Sequence, residues 1–125
     1  METMKVASQW SEGNVHVFEV SNGDELMTSV EEQAKAAGVL NGAIVSLIGA
    51  ADDFAVSTMP ADDATHDIVT SYEQPAEMSG TGEIVDGQAH IHAVMAIAGD
   101  EAVSGHLHYA TIQTHFARVY VIPNT

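Results

Sequence analysis

Cysteine is absent from this 125-residue sequence, and basic residues are nearly absent. Without cysteine, disulfides and thiolate metal sites are excluded, so any bound metal must be held by His, Asp, Glu or backbone oxygen. The only cations are Lys5, Lys35 and Arg118, against 18 acidic residues, which gives a net charge of −15. Because nucleic-acid binding requires Lys and Arg to neutralise phosphates, this charge disfavours direct contact with nucleic acid and with anionic membranes.

Long apolar runs are missing as well. No stretch approaches the roughly 18 apolar residues of a membrane span, and Met1–Lys5 lacks the charged-then-apolar layout of a signal peptide. We therefore expect a cytoplasmic protein without a membrane partner. The scarcity of lysine beside abundant Asp and Glu has two interpretations. One is an ordinary acidic protein, and the other is adaptation to a high-salt cytoplasm, where screening weakens self-repulsion.

The sequence does contain enough apolar material for a core, since 46% of its residues are hydrophobic. We expect a single domain over residues 1–125. Many short strands with one or two helices predict an α+β domain, mostly antiparallel, with helix packed on one face of the sheet. The predicted strands are Met4–Ser8, Val15–Val20, Gly42–Ala50, Phe54–Thr58, Asp67–Tyr72, Glu77–Ile84, Ala89–Ile97, Gly105–Ile112 and His115–Ile122.

An apolar stripe at helical spacing predicts a helix after the second strand. The stripe consists of Leu26, Val30, Ala34 and Ala37. Ser21 or Asn22 is the expected N-cap, and Gly38 the expected residue after the helix. The almost wholly apolar Gly42–Ala50 is expected to be a buried strand. Asp86-Gly87 predicts a hairpin turn.

Three histidines carry the clearest functional signal. His90 and His92 lie in one predicted strand, in which alternation points both side chains the same way. His106 lies in the next strand, after Gly105, which allows a close backbone approach. Neutral imidazole is a common ligand of zinc and other divalent transition metals. These residues therefore predict a metal site with three protein ligands and one vacant position.

Several alternatives stay open at this site. His108 shares a strand face with His106 and competes with it as third ligand, or orients a ligand imidazole instead. Glu77 is a further candidate neighbour of the ligands, and either Glu77 or Glu83 could serve as a general base. A single histidine in a strand is ordinarily an exposed or hydrogen-bonded structural residue. His16 and His66 are interpreted in that way, and His115 is assigned no role.

Motifs of other chemistries are missing. No Gly-x-Ser-x-Gly elbow surrounds Ser104, and no phosphate-binding loop occurs. Gly80-Thr81-Gly82 lacks the third glycine and the helix of a dinucleotide fingerprint, and is interpreted as a bulge or a turn. The sequence assigns no catalytic residue.

The order of the motifs resembles the plants-and-prokaryotes-conserved (PPC) domain family, of the stand-alone prokaryotic type. Tyr72–Ile84 resembles the family's middle motif, in which a Pro, a Glu and a Gly lead into a strand. His90-Ile91-His92-Ala93 resembles its H-x-H strand, and Ser104-Gly105-His106-Leu107 resembles its Gly-Gly-His-Leu motif. Two departures are Ser104, in place of the first glycine, and Arg118, where the last strand usually carries Glu.

The resemblance implies an α/β-type domain that assembles as a homotrimer. It implies a metal, above all zinc, at the three histidines, as in some prokaryotic members. The fold is also similar to that of acetolactate decarboxylase, a three-histidine zinc enzyme, so enzymatic activity stays open. Plant members fused to AT-hooks act in DNA-binding regulators, which implies the alternative of a regulatory interaction domain without enzymatic activity. The Arg-Gly-Arg-Pro of such hooks does not occur in this sequence.

Overall fold

The computed structural model of the protein describes residues 14–124, in which nine strands form one sheet and a single helix packs on it. The elements are β1 (His16–Val20), β2 (Asp24–Glu25), α1 (Leu26–Ala36), β3 (Gly42–Ala51), β4 (Asp53–Thr58), β5 (Ile68–Tyr72), β6 (Ala76–Val85), β7 (Gln88–Ile97), β8 (Glu101–Ile112) and β9 (Ala117–Pro123). The strand order is β1-β9-β3-β6-β7-β8-β4-β5, with β2 beside β8, and every pairing is antiparallel. The predicted antiparallel α+β architecture is confirmed, and the predicted strand Met4–Ser8 lies outside the described residues.

The N-cap of α1 differs from the one predicted. Glu25 caps the helix, with its carboxylate accepting hydrogen bonds from the backbone N–H groups of Met27 (2.7 Å) and Thr28 (2.9 Å). The same carboxylate accepts a third bond from the N–H of Ala110 on β8 (3.1 Å). The cap therefore also fastens the start of the helix to the sheet.

The predicted caps Ser21 and Asn22 are wrong because the chain makes a tight turn there. Asn22 and Gly23 have φ angles of 60° and 86°, and the chain then pairs briefly with β8 before the helix begins. The C-terminal end of α1 agrees with the prediction, because Gly38 follows the C-cap residue and has a φ angle of 75°. Glycine adopts this left-handed conformation without a steric penalty.

The two faces of the sheet have different environments. The inner face packs under α1 and holds the core, whereas the opposite, outer face has no covering element among residues 14–124. The prediction of a buried third strand is therefore wrong. Val45 and Ile48 of β3 point outward and are 46% and 55% exposed. Within residues 14–124, no helix has the length and apolar character that a membrane crossing requires.

A two-residue hairpin aligns β6 with β7. Asp86 and Gly87 have φ angles of 51° and 82°, as in a type I′ turn, which confirms the predicted hairpin. The N–H of Asp86 also donates to the side-chain oxygen of Asn41 (3.0 Å). This turn sets the register in which Glu83 lies directly opposite His90.

Asp52 holds the connection between β8 and β9. Its carboxylate accepts hydrogen bonds from the N–H groups of Gln113 (2.8 Å) and Thr114 (3.0 Å), and from the hydroxyl of Thr114. These bonds favour the ionised form, and the Thr114 hydroxyl is the largest of several causes that lower the pKa of Asp52 below its ordinary value. A carboxyl whose pKa is lower in the folded chain stabilises the fold at neutral pH.

Replacing Asp52 with alanine should lower the melting temperature at neutral pH. The stabilisation is present above the ordinary carboxyl pKa of about 4 and is lost as the pH falls through the lower pKa of the folded state. The gap between wild type and Asp52→Ala should therefore narrow as the pH falls from about 5 to about 3, as measured by thermal unfolding. The exposed Asp62→Ala is the matched control and should show no such gap. A difference in melting temperature between wild type and Asp52→Ala that stays constant across this pH range would contradict the lowered pKa of Asp52.

Candidate metal centre

β7 and β8 bring the three predicted histidines together on the outer face. His90 and His92 alternate with Ile91 and Ala93, whose side chains are buried in the core, so both imidazoles face outward. His106 of β8 lies directly opposite His92 in the register of the two strands. One ligand atom from each histidine lies within 4.8 Å of the other two. We call these three residues the three-histidine cluster.

The donor set and its spacing fit a transition metal. In a tetrahedral zinc site with Zn–N bonds of about 2.0–2.1 Å, the ligand nitrogens lie about 3.3 Å apart. The side chain of His90 is half exposed, so its χ angles can rotate and close the remaining separation. Nitrogen donors suit zinc and its neighbours, whereas calcium and magnesium require oxygen ligands.

The surroundings of His106 favour its neutral form. Burial lowers the pKa of this imidazole, and repulsion from neighbouring His90, His108 and His92 lowers it further, while Asp67 acts in the opposite direction. Neutral imidazole is the form that binds a metal. His106 is therefore the member of the cluster that its environment best prepares as a ligand.

The two glutamates considered from the sequence lie in different places. Glu83 lies opposite His90, with 3.7 Å between its Oε2 and the histidine Nδ1. A carboxylate at Nδ1 orients the ring and leaves Nε2 to serve as the ligand atom. Glu77 lies opposite Ala96, four residues along β7 from His92, and lines a separate cleft. Of the two, Glu83 is the one placed to support the cluster.

His108 lies beside the cluster and not within it. The register of β8 against β4 shifts by one residue between Leu107 and Tyr109, which leaves His108 unpaired at a bulge. Its ring packs edge-on against that of His106, with the centroids 4.8 Å apart. His108 is therefore a neighbour of a ligand imidazole. His16, His66 and His115 also lie outside the group of three.

Glycines allow the strands around the cluster to approach closely. A Cβ at Gly105 would overlap the backbone oxygen of Ser57, so the close approach of β8 and β4 requires glycine there. Gly80 and Gly82 lie within β6, where a Cβ would overlap backbone oxygens of β7. The interpretation of these two residues as a turn is wrong, because both lie within β6. A bulge does occur in the pairing of β3 with β6 at this place, and its extra residue lies in β3, opposite Thr81.

A cleft of about 950 Å³ opens beside His92 and His106, and we call it the histidine cleft. Its walls include Ser57 and Asp67, which the sequence analysis did not identify. Ser57 is a polar residue directly after the apolar run Phe54–Val56 of β4, which is a weak signal in the sequence. No neighbouring residue in the sequence indicates that Asp67 lies at the cleft, because the pairing of β4 with β5 brings it there.

A second cleft on the outer face, of about 840 Å³, is bordered by exposed apolar side chains. We call Ile48, Val94 and Phe116 the apolar patch. Arg118 lies over the ring of Phe116, 4.3 Å from its centroid, and its guanidinium is 3.7 Å from the carboxylate of Glu19. Arg118 is thus engaged at this patch and not in the three-histidine cluster.

Comparison with known proteins agrees with these features. The sequence profile of the Plants and Prokaryotes Conserved (PCC) domain matches residues 7–123. Comparison with the curated proteins gives no match.

Solved structures share the fold. A PPC protein from Pyrococcus horikoshii has a TM-score of 0.76 at 19% identity, with 89% of this chain and 79% of that chain covered. A metal-containing protein from Archaeoglobus fulgidus has a TM-score of 0.74 at 24% identity, with 87% and 78% covered. A Bacteroides thetaiotaomicron protein provisionally described as DNA-binding has a TM-score of 0.76 at 21% identity, with 90% and 80% covered.

Proposed function

Because the chain belongs to the Plants and Prokaryotes Conserved domain family, we propose that it binds one divalent transition metal, above all zinc, through His90, His92 and His106. The observation that carries this proposal is the meeting of three imidazole donors within 4.8 Å of one another. The metal-containing relative from Archaeoglobus fulgidus supports it.

When bound, an ion with three histidine ligands and an open position can polarise a carbonyl group or lower the pKa of a water molecule. The residues of the chain prepare the site for it. The carboxylate of Glu83 lies 3.7 Å from Nδ1 of His90, where it favours a ring orientation that leaves Nε2 free, and burial favours the neutral form of His106. His108 packs against His106 and restricts its ring. These contacts would preserve the arrangement of the ligands.

We expect untagged protein equilibrated with zinc near pH 7 to retain about one ion per chain, as measured by elemental analysis after dialysis. Affinity should fall steeply from about pH 7 to about pH 5, because imidazole with an ordinary pKa near 6.5 must be neutral to bind. The lowered pKa of His106 means that this imidazole is protonated at a lower pH than an ordinary histidine. Protein without zinc after this treatment, or affinity independent of pH, would contradict the proposal.

A homotrimer is the assembly that we propose. The apolar patch supports this, because Ile48, Val94 and Phe116 are exposed on a sheet face that no element among residues 14–124 covers. Exposed apolar side chains gathered on one face mark interaction surfaces. In a closed ring of three copies, each chain would cover the exposed apolar side chains of its neighbour.

A DNA-binding regulatory domain without enzymatic activity is the second candidate. The provisional description of the Bacteroides thetaiotaomicron relative favours it. The charge opposes it, since a net charge of −15 repels phosphate. Among residues 14–124 the cations are Lys35 and Arg118, and Arg118 lies beside Glu19. DNA binding would therefore require a basic partner protein.

A further inference from the structure

Ser57 is a buried polar residue in the histidine cleft, and its side chain has no hydrogen-bonding partner among residues 14–124. It is 4% exposed, and it is the one buried polar residue among residues 14–124. No hydrogen bond within that range uses its hydroxyl. The hydroxyl keeps access to the cleft, since no fully buried side-chain oxygen or nitrogen of the described residues lacks a partner. The Ser57 hydroxyl can therefore exchange a hydrogen bond with a molecule bound in the cleft.

Asp67 adds acceptor oxygens to the same cleft. It directly precedes β5, and its charge acts on His106. No side-chain hydrogen bond or ion pair within residues 14–124 engages its carboxylate. An ionised carboxylate only accepts hydrogen bonds, so a matching ligand must present donors to it.

The rest of the wall combines hydroxyl groups with apolar surface. It includes the hydroxyl-bearing residues Ser46, Ser79, Thr81 and Ser104 and the exposed apolar residues Val45 and Val94. No lysine or arginine among the described residues lines the cleft. Its volume of about 950 Å³ lies within the range of about 300–1,000 Å³ that is usual for small-molecule sites.

We propose that the histidine cleft binds a small uncharged compound with adjacent hydroxyl groups, which donate to Asp67 and exchange a hydrogen bond with Ser57. Two neighbouring hydroxyls match the two acceptor oxygens of a carboxylate. In the zinc-free protein anions are disfavoured, because Asp67 and the net charge of −15 repel them and no basic side chain among residues 14–124 compensates in the cleft. This proposal goes beyond metal binding, since the cleft residues that hold the ligand are not members of the three-histidine cluster.

Propylene glycol and lactate test the proposal, because they are similar in size and differ in charge. Each is titrated into the full chain, with and without zinc, and followed by heteronuclear NMR of the backbone amides. In the zinc-free protein, propylene glycol should shift amides of β4, β7 and β8, and lactate should bind at least about tenfold more weakly. Lactate that binds the zinc-free protein as tightly as the diol would overturn the proposal.

Variants test the two proposed contacts. Asp67→Ala should weaken diol binding by at least about tenfold, because even one hydrogen bond to a charged group contributes about that much, and Ser57→Ala should weaken it as well. Asp67→Asn keeps the shape of the side chain, so it should weaken diol binding and strengthen lactate binding. The matched control Asp62→Ala lies outside the cleft lining and should bind as wild type does.

The outcomes separate this proposal from the metal site. Diol affinity unchanged in a folded Asp67→Asn protein would overturn the ligand assignment. Zinc content is read on the same samples. Diol binding without zinc binding would refute the metal site and leave the cleft assignment standing. Zinc binding with no amide shifts from the diol would refute the cleft assignment alone.

Discussion

Alanine in place of His92 should abolish metal binding. His92 shares the outer face of β7 with His90, 4.9 Å between ring centroids, and lies opposite His106 in the register of β7 and β8. Its loss leaves two imidazoles, and the site has no cysteine to replace the third. Zinc sites with an open position ordinarily use three protein ligands, so two would not retain the ion. Elemental analysis of dialysed protein measures the effect directly.

Two further histidine variants complete this experiment. His66→Ala removes an imidazole outside the cluster and should leave the zinc content unchanged. His108→Ala removes the ring packed against His106, and should weaken affinity by no more than the loss of about 10–100-fold that is typical for residues that orient ligands. Equal metal content in wild type and His92→Ala would remove the central claim about the site.

The proposed trimer should separate into single chains when Ile48 is replaced by glutamate. Ile48 is 55% exposed within the apolar patch, and a charge there would be buried without a partner at each contact between copies. Light scattering should give the mass of three 13.2 kDa chains for wild type and of one chain for Ile48→Glu.

Leu40→Glu is the matched control, because Leu40 is equally apolar and 60% exposed but lies in the connection between α1 and β3. This variant should remain trimeric. Measurements at high salt minimise non-specific charge repulsion between these acidic chains. A wild-type mass of one chain under these conditions would contradict the assembly, and so would an Ile48→Glu protein with the wild-type mass.

Local geometry accounts for what the sequence predicted well at the site. Strand alternation alone places His90 and His92 on one face, because successive side chains point to opposite sides. Asp86-Gly87 specifies a two-residue turn by its backbone preference. Gly105 signalled the close approach to a neighbouring strand that the structure shows at Ser57. Each of these features depends on a few consecutive residues.

Contacts between distant segments account for what the sequence did not predict. Glu25 is the N-cap because β2 pairs with β8 just before the helix begins. Ile48 is exposed, although its strand is nearly all apolar, because the helix covers only the other face of the sheet.

The sequence by itself determined the family, the charge and the residues that share a strand face. Motifs, composition and the alternation of side chains along a strand can all be read from the chain without knowledge of its tertiary contacts. Only the tertiary structure decided that Glu83 and not Glu77 lies beside the cluster, and that Asp67 lines the cleft. Those relations depend on strand order and register. The physical reason is that pairing across strands arises from the packing of residues far apart in the chain, which no short segment encodes.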